Sequence, residues 1–224
     1  MFPPRPIGIL LGLQGSQNPF SGTPSYKAIA LLPLAERVAA MRDPAVRARI
    51  LSEDRVTGST FPLITRLSFA RMFPFGDPPD YAPPRESSVA AQAAREGRTP
   101  EEVAYDMLLA DDGQGFIFAP LTNYGDWTLG ASAELLRHPN TIVGLSDGGA
   151  HVGFISDGSF PTFLLTYWGR DRPEGTVPLP ELVRRQTSDT ARAAGLTDRG
   201  VLAPGMKADI NVIDFASLGL ERPA

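Results

Sequence analysis

The most informative segment of this chain runs Thr141-Ile142-Val143-Gly144-Leu145-Ser146-Asp147-Gly148-Gly149-Ala150-His151-Val152-Gly153. Its apolar first part, residues 141–145, follows a Pro-Asn break and predicts a short buried strand. The strand ends at an acidic residue, and the glycines after it allow a sharp turn that leaves space for a ligand above the carboxylate. In a parallel α/β barrel, a carboxylate at the carboxyl end of a strand lies where chemistry is done. Asp147 is therefore a candidate catalytic residue, and the alternative is an aspartate that only caps the turn.

The composition indicates a globular protein, because 42% of the 224 residues are hydrophobic and 21% are charged. A net charge of -4 provides no basic surface for nucleic acid or an anionic membrane, and no apolar run in the sequence is long enough to span a bilayer. The sequence contains no Cys, which fits a reducing compartment, so we expect a cytoplasmic protein. With only two histidines, His138 and His151, a self-contained His-rich metal site is not expected.

The first half of the chain predicts one strand followed by helices. Residues 6–13 are apolar and predict an interior strand, and helices are predicted at 26–32, 33–42 and 43–53. Asp43 followed by a proline is a typical start for the last of these helices. Residues of about 57–98 show no regular period over most of their length and predict an irregular insertion.

The second half alternates helices and strands with short links. Thr99-Pro100-Glu101-Glu102 is a capping box that begins a helix, and residues 116–120 predict a second interior strand. A helix capped by Asp126 and running to Arg137 then precedes the strand at 141–145. Further helices are predicted at 160–168 and 180–194. This alternation favours parallel strands in an α/β fold.

The last part of the chain has a different pattern. A Pro-Gly turn at 204–205 precedes residues 208–214, in which apolar and polar residues alternate as in a strand. We therefore expect residues 196–224 to form part of a small appended β module.

A second motif follows the helix at 180–194 and reads Gly195-Leu196-Thr197-Asp198-Arg199-Gly200-Val201-Leu202-Ala203-Pro204-Gly205-Met206-Lys207-Ala208-Asp209. It resembles the C-terminal signature of metal-dependent amidohydrolases: a Gly-Leu pair, a polar turn, a leucine, Pro-Gly, and Ala-Asp leading into a strand. With Ser-Asp-Gly-Gly-Ala-His-Val at 146–152 and Arg-Pro-Ile-Gly at 5–8, the chain looks most like the N-acyl-D-amino-acid deacylase (D-aminoacylase) branch. The likeness runs over nearly the whole chain.

The resemblance implies an α/β fold in which residues 1–195 are the C-terminal part of a TIM (β/α)8 barrel and residues 196–224 are strands of a small β sandwich. It implies a hydrolase that uses zinc to cleave linear carbon–nitrogen amide bonds in small N-acylated amino-acid-like substrates. Asp147 matches the family's aspartate that takes a proton from metal-bound water and passes it to the leaving amine, and this residue can also contact the metal. An ionised carboxylate suits that role, because it accepts one proton and then donates it.

The residues around Asp147 are the remaining candidates for the site. Gly148 and Gly149 let the backbone lie close to a substrate, His151 is a candidate substrate contact, and Ser146 is a candidate for orienting Asp147. Asp157-Gly158-Ser159 could line the entrance, although a second turn is the alternative reading. Arg170 and Arg172 are weaker candidates for binding a substrate carboxylate.

The chain also departs from the family pattern, since it has no His-x-His pair and no Cys. His138 lies at a helix-to-strand corner that matches no ligand position, so we expect it at the surface. The resemblance therefore covers only the C-terminal portion of such an enzyme, and we expect a truncated chain without the metal-binding half. The alternatives are a non-catalytic remnant or split-protein half that needs a complementary N-terminal chain, and an amidohydrolase that acts on cyclic amides.

Overall fold

The computed structural model describes residues 1–55, 67–145, 153 and 158–222. These residues divide between two units. The first, called here the sheet unit, comprises Gly8–Leu121 with His151–Ile155. The second, called here the terminal unit, comprises Met1–Ile7, Thr122–Ala150 and Ser156–Ala224. The boundary expected between residues 195 and 196 stays a prediction.

A three-stranded sheet forms from β1 (Ile7–Gly12), β2 (Phe73–Phe75) and β3 (Phe116–Thr122), in the order β1-β3-β2. Strand β2 is antiparallel to β3, and Pro74 lies opposite Ile117. The strands predicted at 6–13 and 116–120 are thus confirmed. Gly8 and Gly12 permit the close approach of β1 to β3, because a Cβ at Gly8 would lie 2.8 Å from the Ala119 carbonyl oxygen. The mixture of helices and a small sheet agrees with the α/β class.

Three helices of the sheet unit begin within one residue of the starts predicted at 33, 43 and 100, whereas the helix at Val89–Glu96 was not predicted. Their bounds are α1 (Pro24–Lys27), α2 (Leu34–Arg42), α3 (Pro44–Ser52), α4 (Val89–Glu96) and α5 (Pro100–Gly113). The Asp43 carboxylate accepts hydrogen bonds from the Ala45 and Val46 amides, and both halves of the Thr99 capping box are present. The helix predicted at 26–32 is wrong in extent, since α1 is a single turn ending at Lys27.

The core of the sheet unit lies between the sheet and these helices, and it includes Ile9, Met41, Tyr105, Leu108 and Ile117. Each such large apolar side chain contributes about 1.5–3 kcal/mol by leaving water. The segment predicted to be irregular, residues 57–98, contains β2, α4 and two 3-10 turns in its described part, residues 67–98.

The terminal unit contains α6 (Gly130–Arg137), α7 (Phe160–Thr166) with a π-helical extension (Tyr167–Asp171), α8 (Leu179–Gln186) and α9 (Ser188–Ala193). The predicted helix start at Asp126 is wrong, because Trp127 has a φ of 55° and cannot lie in a right-handed helix. The predicted continuous helix at 180–194 breaks at Thr187, whose φ of -116° and ψ of -88° are not helical. None of the helices in the described part combines the length and the apolar composition that a bilayer crossing requires.

The strand predicted at 141–145 is present only as a parallel bridge between Phe2 and Val143. Leu145 has a φ of 64°, and this left-handed conformation ends the extended backbone. The strand predicted at 208–214 is likewise absent from the described residues 196–222, where the structure shows turns and irregular backbone. Ile210 and Val212 are 60% and 98% exposed there.

Candidate active site

The residues that the sequence places at the centre of the site lie outside the described residues. They are Ser146, Asp147, Gly148, Gly149, His151 and Asp157. The structure describes both flanks of this segment, with the chain leading into it at Leu145 and continuing from it at Gly158.

The leading flank is held by the parallel bridge to the start of the chain. The Phe2 amide donates to the Ile142 carbonyl oxygen at 3.0 Å, and the Gly144 amide donates to the Phe2 carbonyl oxygen at 3.0 Å. Val143 between these bonds is only 7% exposed. Because the two segments are parallel, the chain runs in the same direction after Phe2 as after Val143.

Arg5 links this region to the other flank. The side chain is 1% exposed, its Nε donates to Ser159 Oγ at 3.0 Å, and its Nη1 donates to the Pro6 carbonyl oxygen at 2.7 Å. The guanidinium carbon also lies 4.0 Å from the centre of the Phe160 ring. A buried cation is stabilised by such hydrogen bonds and by the ring face. Arg5 thus holds the first residues of the chain against the beginning of α7.

Two further buried side chains hold the same flanks. The Trp168 indole Nε1 donates to the Pro4 carbonyl oxygen at 2.7 Å, and the ring is fully buried. Arg185 on α8 is 5% exposed, and its Nη1 donates to the Thr141 carbonyl oxygen at 2.9 Å.

Sequence reasoning missed the buried positions of Arg5 and Arg185. An arginine is most often a solvated residue, and its burial depends on partners that are distant in the chain. The one available signal was local, since Arg5 lies between prolines immediately before an apolar strand.

The two arginines considered for a substrate carboxylate are engaged by the protein itself. Arg170 Nε donates to Asp171 at 2.6 Å, and its Nη1 and Nη2 donate to backbone carbonyl oxygens at Phe215, Ala216 and Leu218. The hydrogen bond that Arg170 donates to the Asp171 carboxylate raises the pKa of Arg170. Arg172 lies over the Trp168 ring, with its guanidinium carbon 4.6 Å from the ring centre, and donates to the Gly175 carbonyl oxygen at 3.1 Å. The two guanidinium groups therefore have structural roles.

The described residues do not fit the zinc that the resemblance implies. Within residues 1–55, 67–145, 153 and 158–222, no three side chains of His, Cys, Asp or Glu are grouped so that they could hold a metal ion. His138 is exposed, as expected, and its Nδ1 accepts a hydrogen bond from the Asn140 amide at 3.1 Å.

The comparison with protein families places this geometry in context. A family model described as "Amidohydrolase family" matches residues 4–224, and this range contains both Asp147 and the motif at 195–209. No curated protein and no solved structure matches the chain.

Proposed function

The chain belongs to the amidohydrolase family, whose members hydrolyse amide-type bonds, and on this premise we propose that it acts on linear amides of N-acylated amino acids. The observation that carries this proposal is the family match over residues 4–224, in which the strand-end aspartate and the Pro-Gly motif occur together. The sequence Ser-Asp-Gly-Gly-Ala-His-Val at residues 146–152 supports the D-aminoacylase branch within that family.

Asp147 is the proposed proton shuttle. Amide hydrolysis requires a base that removes a proton from the attacking water and an acid that protonates the amine as the carbon–nitrogen bond breaks. One carboxylate performs both steps in turn, because the proton it accepts in the first step is the proton it donates in the second. Gly148 and Gly149 would let the substrate approach the backbone, and His151 would contact it.

The described flanks support a positioned carboxylate. Asp147 follows Val143 by four residues, and Val143 is held by the bridge to Phe2. Ser159 follows Asp147 by twelve residues and is held by Arg5. A catalytic group is best positioned when the elements on both sides of it are fixed by packing and hydrogen bonds.

A zinc site needs several donors grouped in space, and the part of the chain that the structure describes contains no such group. The sequence has two histidines and no Cys, and the described residues contain no group that could hold a metal ion. We therefore propose that the zinc ligands expected for the family belong to a complementary chain. The sheet β1-β3-β2 would then be part of a TIM barrel that the two chains complete, and residues 196–222 would be part of its β sandwich.

A second candidate function is a non-catalytic half of a split protein. The exposed apolar side chains in the last part of the chain favour it, because Leu202 and Val212 are 74% and 98% exposed. Cyclic amides are the alternative substrates, since the same proton transfers would open a ring.

The experiment is an assay of amine release from N-acetyl-D-amino acids, their L enantiomers and a hydantoin. The purified chain is tested alone, with Zn²⁺, and with a candidate complementary chain that carries a His-x-His strand. We expect release from the D-amino-acid derivatives in the last mixture and none when the chain carries Asp147→Asn. Turnover of the hydantoin without turnover of the N-acetyl amino acids would support the cyclic-amide alternative. Inactivity of every mixture would support the hypothesis that the chain is the non-catalytic half of a split protein.

A further inference from the structure

The terminal unit contains a cavity of about 490 Å³, which is the size of a typical small-molecule pocket. Gly144 lines it on the leading side of the segment that carries Asp147, and Phe160 and Pro161 line it on the returning side. Both ends of the proposed catalytic segment are therefore part of the cavity wall. Asp147 is three residues beyond Gly144, and three residues of chain span at most about 11 Å.

The wall of the cavity is apolar where a ligand would contact it. Its described lining contains no charged side chain, and Ile142, Val143 and Leu164 provide aliphatic surface. The two polar side chains of the lining bond within the protein. Gln186 Nε2 donates to the Pro161 carbonyl oxygen at 2.8 Å, and Thr190 Oγ1 donates to the Gln186 carbonyl oxygen at 2.9 Å.

We propose that this cavity binds the unbranched apolar acyl chain of the N-acylated substrate. The inference rests on the proposed function, and it assigns the preferred substrate class: amides of medium-length fatty acids should bind more tightly than acetyl derivatives. A methylene chain needs only apolar surface, and the cavity offers it beside Gly144, which precedes the proposed base by three residues.

The lining also argues against a polypeptide segment as the occupant. A peptide backbone brings N–H and C=O groups that must be hydrogen-bonded when they are buried. The Gly144 amide already donates to Phe2, and the side chains of Gln186 and Thr190 bond to the backbone of their own unit. Because these donors are engaged, they would not replace the hydrogen bonds to water that the carbonyl oxygens of a backbone lying in the cavity would lose.

Calorimetric titration of the purified chain tests the proposal without requiring turnover. The ligands are N-acetyl-, N-hexanoyl- and N-decanoyl-glycine, with decanoate as a fourth, all below the concentrations at which they form micelles. We expect the affinity to rise about fourfold for each added methylene, which amounts to about two orders of magnitude between hexanoyl and decanoyl. An affinity that does not depend on chain length would overturn the proposal.

A pair of variants locates the binding. Ala194 is exposed at the rim of the cavity, so Ala194→Trp obstructs the cavity without enlarging a core residue. Ala131 is exposed on α6 of the same unit and does not line the cavity, so Ala131→Trp is the matched control. We expect Ala194→Trp to weaken N-decanoylglycine binding at least tenfold and Ala131→Trp to leave it unchanged.

The outcomes separate this proposal from the proposed function. Chain-length-dependent binding that Ala194→Trp reduces supports the acyl site even if no amide is hydrolysed in any mixture. The proposed function would be supported and the acyl site overturned by a different result. In that result N-acetyl-D-amino acids are hydrolysed as fast as derivatives with longer acyl chains, and Ala194→Trp does not change the rates. Equal effects of the two tryptophan variants on decanoyl binding would also overturn it, because they would place the binding elsewhere.

Discussion

Replacing Arg5 by Met tests whether the buried guanidinium holds the terminal unit together. Methionine is of similar length and fills part of the same space, so the main change is the loss of the charge and its donors. The Pro6 carbonyl oxygen and the Ser159 hydroxyl lose hydrogen bonds of 2.7 and 3.0 Å, and the Phe160 ring loses its cation. Hydrogen bonds from charged groups contribute about 1.5–3 kcal/mol each, and a desolvated cation–π contact about 2 kcal/mol.

The removed arginine no longer has to be desolvated, which offsets part of this loss, so we expect a net destabilisation of about 3–5 kcal/mol. Urea unfolding followed by tryptophan fluorescence measures it, because Trp127 and Trp168 both belong to the terminal unit and the Trp168 indole donates to the adjacent Pro4 carbonyl oxygen. Arg192→Met is the matched control: Arg192 is exposed on α9, and its replacement should change stability by less than about 0.5 kcal/mol.

A double-mutant cycle with Ser159→Ala separates the hydrogen bond from the remaining contacts of Arg5. Ser159→Ala alone should lower the free energy of unfolding by about 1 kcal/mol. The double variant should lose less than the sum of the two single variants, because both changes remove the same hydrogen bond. If Arg5→Met unfolds at the same urea concentration as Arg192→Met, the reasoning from burial is refuted. If the two changes are additive, the bond to Ser159 contributes nothing.

Three further predictions concern the proposed base and the sheet unit. Asp147→Asn should lower amide turnover by about 10²–10⁴-fold or more in an active mixture while leaving the thermal midpoint unchanged, and a near-normal rate would remove Asp147 from the mechanism. Burial raises the pKa of Tyr105 from 10.0 to about 12, so the folded protein favours the neutral phenol. This preference contributes about 3 kcal/mol to the free energy of unfolding; the contribution is fully present below pH 10 and is lost as the pH rises to 12. Unfolding between pH 9 and 12 should show this loss in the natural chain and not in Tyr105→Phe, and equal profiles would contradict it. Gly113→Ala should destabilise the chain more than Gly97→Ala. Both glycines have positive φ, but only at Gly113 would an added Cβ lie 2.5 Å from the Val38 side chain. Equal denaturation midpoints of the two variants would show that this clash relaxes.

The features that the sequence predicts correctly are those encoded within a few residues. Asp43 and Thr99 cap helices through bonds to amides two or three positions along, so the signal and its partner are adjacent. The strands at 7–12 and 116–122 are continuous apolar runs. The predicted ends of these strands lie within two residues of the observed ones.

The features that the sequence does not predict depend on contacts between residues that are far apart in the chain. Strand β2 has three residues and one of them is Pro74, which is compatible with the edge of a sheet but gives no strand signal by itself. Residues 141–145 have the composition of a strand, yet Phe2 is the one described residue that bridges to them, and Leu145 turns away. Arg5 is buried because Ser159 and Phe160, more than 150 residues away, contact it.

This distribution has a consequence for how the proposed site would work. The candidate base comes from one segment, whereas the groups that fix its two flanks come from the first five residues and from α7. Substitutions at Phe2 or Arg5 would therefore act on the position of the Asp147 carboxylate by displacing the flanks of its segment. Proximity effects make catalysis sensitive to displacements of about 1 Å, so these positions would influence turnover as strongly as some groups that touch the substrate. The acyl cavity has the same walls, because Gly144 and Phe160 line it. A bound acyl chain would then pack against both flanks at once, and substrate binding and the positioning of Asp147 would be coupled through the same contacts.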